Sequence, residues 1–364
     1  MKTRPAAMDR PAPPRPDLSR ALPQGTALAV GIVGGVIGWQ AGLPLPWMLG
    51  PMLLVTLAVL VGLPLRGPDT LRPVFIPVIG VMLGSSITPD VIAAAPRYVA
   101  TILLLPPFLA AAATLSYVFY RRVGRYDPVT AWFSAMPGGL NDMLIMGGAM
   151  GGDDKRIALA HASRVLVVVT VVVLFFGAWF GVQSQGGGAG WTGLGDPSLL
   201  DYGIFAICAF GGVWLGRVMR LSAGQIVGPM ILSSLAHLTG LVEVAPPNLS
   251  VIAAQVVIGT VIGCRFLGTP IRVIARDLAL AAGSSAMMIA VAAGFAVAAA
   301  RLSGVPVSQS FLAYSPGGLA EMGLLAFAMG QDVAYVTVMH IVRLILVIFA
   351  ATPLFSRLVR PRAG

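Results

Sequence analysis

Apolar residues run through this chain in long blocks separated by short polar loops, not in the ten-residue alternation of barrel strands. In the first half the blocks predict spans at about 24–42, 46–64, 73–88 and 97–119, an interrupted segment at 129–152, and a span at 157–180. The second half gives the same order, with spans at 202–219, 223–240, 249–267 and 277–300, an interrupted segment at 308–330, and a span at 333–356. Helices satisfy their backbone polar groups internally in lipid, so the expectation is an all-α polytopic membrane protein and an outer-membrane barrel is excluded.

Both interruptions carry one motif. Ser134-Ala-Met-Pro-Gly-Gly-Leu-Asn-Asp142 recurs as Ser315-Pro-Gly-Gly-Leu-Ala-Glu321, and Pro137, Gly138, Gly139 and Asp142 fall 179 residues before Pro316, Gly317, Gly318 and Glu321. The register continues past the motif: Asp153 matches Asp332, His161 matches His340 and Arg164 matches Arg343. Upstream, Gly34, Gly38 and Gly50-Pro51-Met52 match Gly212, Gly216 and Gly228-Pro229-Met230 at 178, and Gly80 and Gly84 match Gly259 and Gly263 at 179. The last pairs form Gly-x-x-x-Gly spans, read as close helix packing. The expected organisation is a basic cytoplasmic tail at 1–23, disordered because it is rich in proline, then a membrane repeat at 24–182. A Gly-rich linker follows at 183–201, then a second repeat at 202–357 and a basic C-terminus at 358–364.

Composition strengthens the membrane reading: 57% of the 364 residues are hydrophobic, 10% are charged, and mean hydropathy is +0.87. The net charge of +10 does not point to nucleic acid, because the cations cluster between apolar runs and at the two ends, as suits an anionic inner membrane surface. Cys208 and Cys264 lie inside apolar segments and read as packing residues, and His237, without a counterpart in the other half, as an interfacial or packing histidine.

Orientation depends on whether the interrupted segments cross or return. If both return, each half has five crossings and the halves are inverted, with 19 cations inside and Arg97 and Arg301 outside. If both cross, the halves are parallel and the score is 14 inside against 7 outside. The positive-inside rule favours two inverted repeats with both termini cytoplasmic, each of about five transmembrane helices plus a re-entrant or broken helix.

Proline lacks an N–H and glycine takes unusual backbone angles, so each Pro-Gly-Gly divides its segment into two half-helices whose freed backbone must be buried or line a cavity. Paired breaks near the bilayer midplane are a substrate-site geometry. The candidate substrate-binding residues are Ser134, Pro137, Gly138, Gly139, Asn141, Tyr314, Ser315, Pro316, Gly317 and Gly318. Asp142 and Glu321 enter the half-helices just after the breaks, either as ordinary N-terminal acids or as carriers of a proton or cation. His161 and Arg164, like His340 and Arg343, are three apart and share one helix face. Their arginines either pair with Asp142 and Glu321 or snorkel to the interface.

Leu43-Pro-Leu-Pro-Trp-Met-Leu-Gly-Pro51, Ala135-Met-Pro-Gly-Gly139, the His161 and Arg164 pair and their second-half counterparts together resemble the AbrB-type family of bacterial integral membrane proteins over residues 25–357. This family is distinct from the soluble DNA-binding regulator of the same name, and it is also given an ammonia monooxygenase label. The resemblance implies an inner-membrane protein with an influence on gene expression. Three histidines, of which two correspond, are too few for an oxidising copper or iron centre, so no enzyme, cofactor or metal is expected. The favoured function is secondary transport of a small solute by alternating access, and the alternative is a membrane sensor or regulator. The expected partners are the lipid bilayer and a small-molecule or ionic substrate, without nucleic acid, and the chain is a candidate homo-oligomer.

Overall fold

A computed structural model of the chain describes residues 18–180, 191–221, 223–267 and 271–359. The first half opens with α1 (Leu18–Gln40), α2 (Pro46–Leu60) and α3 (Arg72–Ser85), followed by α4 (Pro89–Ala94), a short 3-10 turn, α5 (Val99–Leu103) and α6 (Leu105–Arg122). It closes with α7 (Pro128–Ala135), α8 (Leu140–Ala149) and α9 (Asp154–Phe180). The second half has α10 (Leu199–Val218), α11 (Gly224–Leu238), α12 (Asn248–Gly263), α13 (Ile271–Ser303), α14 (Val307–Tyr314), α15 (Leu319–Ala328) and α16 (Val333–Leu358).

The element order matches the apolar blocks, and the differences have local causes. α1 begins at Leu18, so the helix takes in residues expected to belong to a disordered tail; residues 1–17 lie outside the described residues. Of the linker and the C-terminus, 183–190 and 360–364 also lie outside them. Among the described residues six helices are long and apolar enough to cross a membrane. α2, α3 and α11 are shorter than expected, at 15, 14 and 15 residues, where a span needs about 20. These three bury much of their surface against one another and against α12, so their length answers to protein packing and not to lipid thickness.

That packing is reciprocal. α2 lies on α12 and α3 on α11, while α1 covers α2 as α10 covers α11. A methyl group on Gly80 would overlap the carbonyl oxygen of Ile226, and one on Gly259 would overlap that of Met48. Gly84 stands in the same relation to Met230, and Gly263 to Met52. The Gly-x-x-x-Gly spans therefore act as the sequence implied, by letting backbones approach where a side chain would intervene. Even the backbone entries correspond: the residues before α2 and α11, Leu45 and Ala223, are both left-handed, with φ of 48° and 55°.

Each broken segment folds back on itself. The backbone N–H of Asp153, just beyond α8, donates to Thr130 Oγ1 in the first turn of α7 at 2.8 Å. Likewise the N–H of Asp332 after α15 faces Gln309 Oε1 in α14 at 3.5 Å. The outer ends of each hairpin thus meet, and the Pro-Gly-Gly break forms the inner tip. Cys208 and Cys264 are buried free thiols, and His237 bonds the carbonyl of Ser233 at 2.8 Å within its own helix, which agrees with packing roles.

Candidate functional site

α7 stops at Met136, whose ψ of 129° is extended, and Pro137 and Gly138 carry the chain to the N-cap of α8 at Gly139. α14 stops at Ser315 with ψ of 136°, and α15 starts after Gly318. Ending a helix inside the protein leaves its last carbonyls without N–H partners. In both halves the next long helix supplies them.

In the first half, His161 Nε2 donates to Phe133 O at 2.9 Å, and Arg164 Nη1 and Nη2 donate to Met136 O at 2.8 Å and Gly138 O at 3.4 Å. In the second, His340 Nε2 donates to Leu312 O at 3.0 Å, and Arg343 Nη1 and Nη2 donate to Ser315 O at 2.5 Å and Gly317 O at 2.9 Å. Every donor and acceptor of one set lies 179 residues from its counterpart. Within each set the arginine Nη2 also approaches the histidine Nδ1, at 2.7 and 3.2 Å. A carbonyl only accepts and a guanidinium only donates, so both rings carry hydrogen on Nε2 and accept on Nδ1. The i, i+3 spacing puts the imidazole beside the guanidinium, and the planar fork of arginine reaches two carbonyls at once.

These contacts correct both expectations for the arginines. Arg164 and Arg343 are 4% and 3% exposed, so they do not snorkel. Nor do they pair with the acids: the ion pair made among the described residues is the surface contact of Arg156 with Asp153. Carbonyl oxygens at a helix C-terminus, which carry the negative end of the helix dipole, take the place of the carboxylates.

The breaks are seated on the opposite half. Trp132 Nε1 in α7 donates to Ala351 O in α16 at 2.9 Å, its ring lies 6.1 Å from that of Phe355, and a methyl on Gly138 would meet Val347 at 2.9 Å. The corresponding pair across α14 and α9 is Phe311 with Phe176, at 5.7 Å. Gly138, whose carbonyl accepts from Arg164, thereby lies against Val347, one helical turn beyond Arg343 in α16.

The remaining candidates divide. Ser134, Pro137, Ser315, Pro316 and Gly317 are buried at the breaks, and Gly138, Gly139 and Gly318 are half-buried. Tyr314 is fully buried, with its hydroxyl donating to Thr101 O at 2.5 Å and its ring against Phe108, so it ties the second break to α5 and α6. Asn141 is exposed. Glu321 is 8% exposed and Asp142 only half-buried. Each acid lies beside the glycine that opens its own half-helix, Gly318 and Gly139 respectively.

Sequence reasoning missed the polar groups beyond the hairpins. At one end Tyr126 Oη donates to Asp277 Oδ1 at 3.1 Å, Arg276 donates to Gly124 O at 3.0 Å, and Arg156 stacks over the Tyr126 ring at 5.2 Å. At the other end, reached along α6, Tyr98 donates to Asp332, and its ring lies 4.6 Å from that of Tyr335 at a tilt of 54°. The one signal in the sequence was Asp277 itself, an acid opening an apolar run. In the loop before α7, Asp127 caps the helix through Thr130 N at 2.9 Å. Burial pushes its carboxyl up, and hydrogen bonds from Thr130 and Val129 outweigh that and hold it below the usual range. Among the described residues no three His, Cys, Asp or Glu side chains gather as metal ligands would.

Two curated relatives are similar along most of their length. One, from Bacillus subtilis (strain 168), is named "Uncharacterized protein YhjN" and is 23% identical over 93% of both chains. The other, from Escherichia coli (strain K12), is named "Putative regulator AbrB" and is 25% identical over 83% of this chain and 86% of its own. The family described as "Transition state regulatory protein AbrB" matches residues 47–360, and these residues include both breaks and both His/Arg sets, so the chain belongs to the AbrB family.

Proposed function

We propose that this chain is a secondary transporter that moves a small solute across the bacterial inner membrane by alternating access, without catalysing a reaction. The observation that carries the reading is the reciprocal seating of the breaks: each is clamped by its own half and packed on the last helix of the other. Two half-sites joined in this way form a centre that a relative movement of the halves would open from one side or the other. Half-helices of 8 and 10 residues reach about 12–15 Å at 1.5 Å per residue, roughly half of a 30 Å hydrocarbon core, so hairpins entering from opposite faces meet near the midplane.

Inverted repeats with re-entrant hairpins and both termini cytoplasmic account for the charges. Arg121, Arg156 and Arg276 all gather around Gly124 and Tyr126 at one end, as they must if 129–152 returns to the side it left. Tyr98 and Asp332 then mark the outer end. Glu321 and Asp142 are the candidate ion-coupling groups, with Glu321 the more buried. The working partners are the bilayer and a small solute, with homo-oligomers allowed and no nucleic acid. The test is flux in liposomes containing the purified chain: uptake that saturates with solute and depends on Glu321 supports the reading, and its absence across ions, organic acids, amines and sugars counts against it.

A membrane sensor or regulator is the second reading, favoured by the words "Putative regulator" in the name of the Escherichia coli relative. If transcriptional effects of deletion persist when solute levels are restored, regulation is direct and the transport reading loses its main support.

A further inference from the structure

We propose that the solute is a small soluble anion, of the carboxylate or oxyanion class, held between Arg164 and Arg343 at the meeting of the two breaks. This deepens the transporter reading above and rests on it for the word solute, although binding is tested separately. The first ground is charge. Two guanidinium groups are buried at 4% and 3% exposure and have no carboxylate within 4.0 Å among the described residues. Backbone carbonyls satisfy the Nη donors and lower the cost of burial, but they carry no net charge. Buried charges are ordinarily paired, because an isolated one is costly in an apolar interior.

Unused donors are the second ground. The Nε–H of Arg164 and of Arg343 is buried without an acceptor in both halves. The hydroxyls of Ser134 and Ser315, one on each broken segment, are 2% and 0% exposed and are also without partners. Buried polar groups in native proteins are nearly always bonded, so the same unmet donor on corresponding arginines asks for an acceptor from outside the chain. A carboxylate or oxyanion offers several acceptor oxygens and the missing charge together. The third ground is placement. Gly138, whose carbonyl accepts from Arg164, packs on Val347, one helical turn beyond Arg343, so the first clamp lies against the helix that carries the second. Asp142 and Glu321 lie beside their own glycines at the N-termini of α8 and α15 and not on the arginines, so neither acid supplies the charge that the guanidinium groups lack.

The experiment uses the full chain in detergent, with melting temperature measured against acetate, succinate, phosphate and sulfate, and with sodium chloride, choline chloride and glucose as references at matched ionic strength. At least one of the four anions is expected to raise the melting temperature saturably, and the Ser134→Ala, Ser315→Ala double variant to weaken that response about tenfold or more, the weight of a hydrogen bond to a charged group. Arg343→Lys keeps the charge and loses the fork, and is expected to weaken it as well. If none of the four anions stabilises beyond chloride, or if the serine variant responds as the parent does, the inference fails. If phosphatidylglycerol vesicles stabilise and the soluble anions do not, the arginines hold a lipid headgroup and the inference also fails. Anion binding without flux in liposomes leaves the inference standing and removes the transporter reading, and flux of a cation or neutral solute without anion binding does the reverse.

Discussion

Replacing Arg343 by methionine removes the donor that closes the second break while keeping side-chain length and apolar packing. The substitution orphans Ser315 O and Gly317 O, accepted at 2.5 and 2.9 Å, in a site where the arginine is 3% exposed. Each buried carbonyl left without a partner costs about 1–3 kcal/mol, so two cost about 2–6 kcal/mol. Relief from burying a guanidinium offsets part of this, which leaves an expected loss of about 2–4 kcal/mol. Arg164→Met should cost less, because one of its two carbonyl bonds is long, at 3.4 Å. Arg343→Lys should fall between parent and methionine, since an ammonium cannot bridge both carbonyls with the same planar geometry. Thermal unfolding of the purified chain in detergent gives the order, with Arg357→Ala at an exposed position as the control. If both methionine variants melt with the control, the carbonyl clamps do not hold the breaks and the account of the site collapses.

The same geometry sets further outcomes. Gly80→Ala and Gly259→Ala should each lower stability by about 1–3 kcal/mol, because the added methyl meets a backbone carbonyl that cannot turn aside. Gly294→Ala, with open space around it, should be neutral or raise the melting midpoint slightly. Asp127→Ala should cost about 1 kcal/mol through loss of the helix cap. Since the Asp127 carboxyl is held low in the folded chain, its contribution is present above the unfolded carboxylate pKa and lost as pH falls through the folded one, so parent and variant melting curves should converge in acid. In liposomes Glu321→Gln should impair flux more than Asp142→Asn, and equal effects would remove the distinction drawn between the two acids. With Cys208 and Cys264 replaced by alanine, a water-borne thiol reagent should label Ile145→Cys and not Leu324→Cys.

The parts of this architecture visible in the sequence are those written in side chains at short range. Apolar blocks announce helices, Pro-Gly-Gly announces a break, and His-x-x-Arg at i, i+3 announces a shared face. The arginine partners were not visible because backbone carbonyls have no residue-type signature: Phe133, Met136, Leu312 and Ser315 accept through the main chain whatever side chain they bear. An acid three residues past the break was the natural partner by charge, and the fold instead keeps it over its own half-helix. Tyr126 and Asp277, 151 residues apart, meet only through the packing of α6 on α13. The short α2, α3 and α11 could not be told from full spans, since apolar character measures burial without saying whether protein or lipid provides it.

The two halves share a clamp and differ in the half-helix beyond it. α15 is buried throughout its first two turns and packs on α3, whereas α8 makes no comparable packing on α12 among the described residues. Ile145 is 72% exposed where its counterpart Leu324 is 2% exposed. The residues differ where the packing does: on Gly323 in α15 a methyl would sit 3.0 Å from Leu83 in α3, while the corresponding Leu144 in α8 packs in the cluster around Trp132, Phe133 and Ile157. The asymmetry is therefore written in the sequence as well as in the conformation. The two halves are therefore not equivalent: the α15 side is docked on α3 and holds the more buried acid, and the α8 side is the more exposed. In the transporter reading, α8 is the element that gates and Glu321 the group that waits behind it.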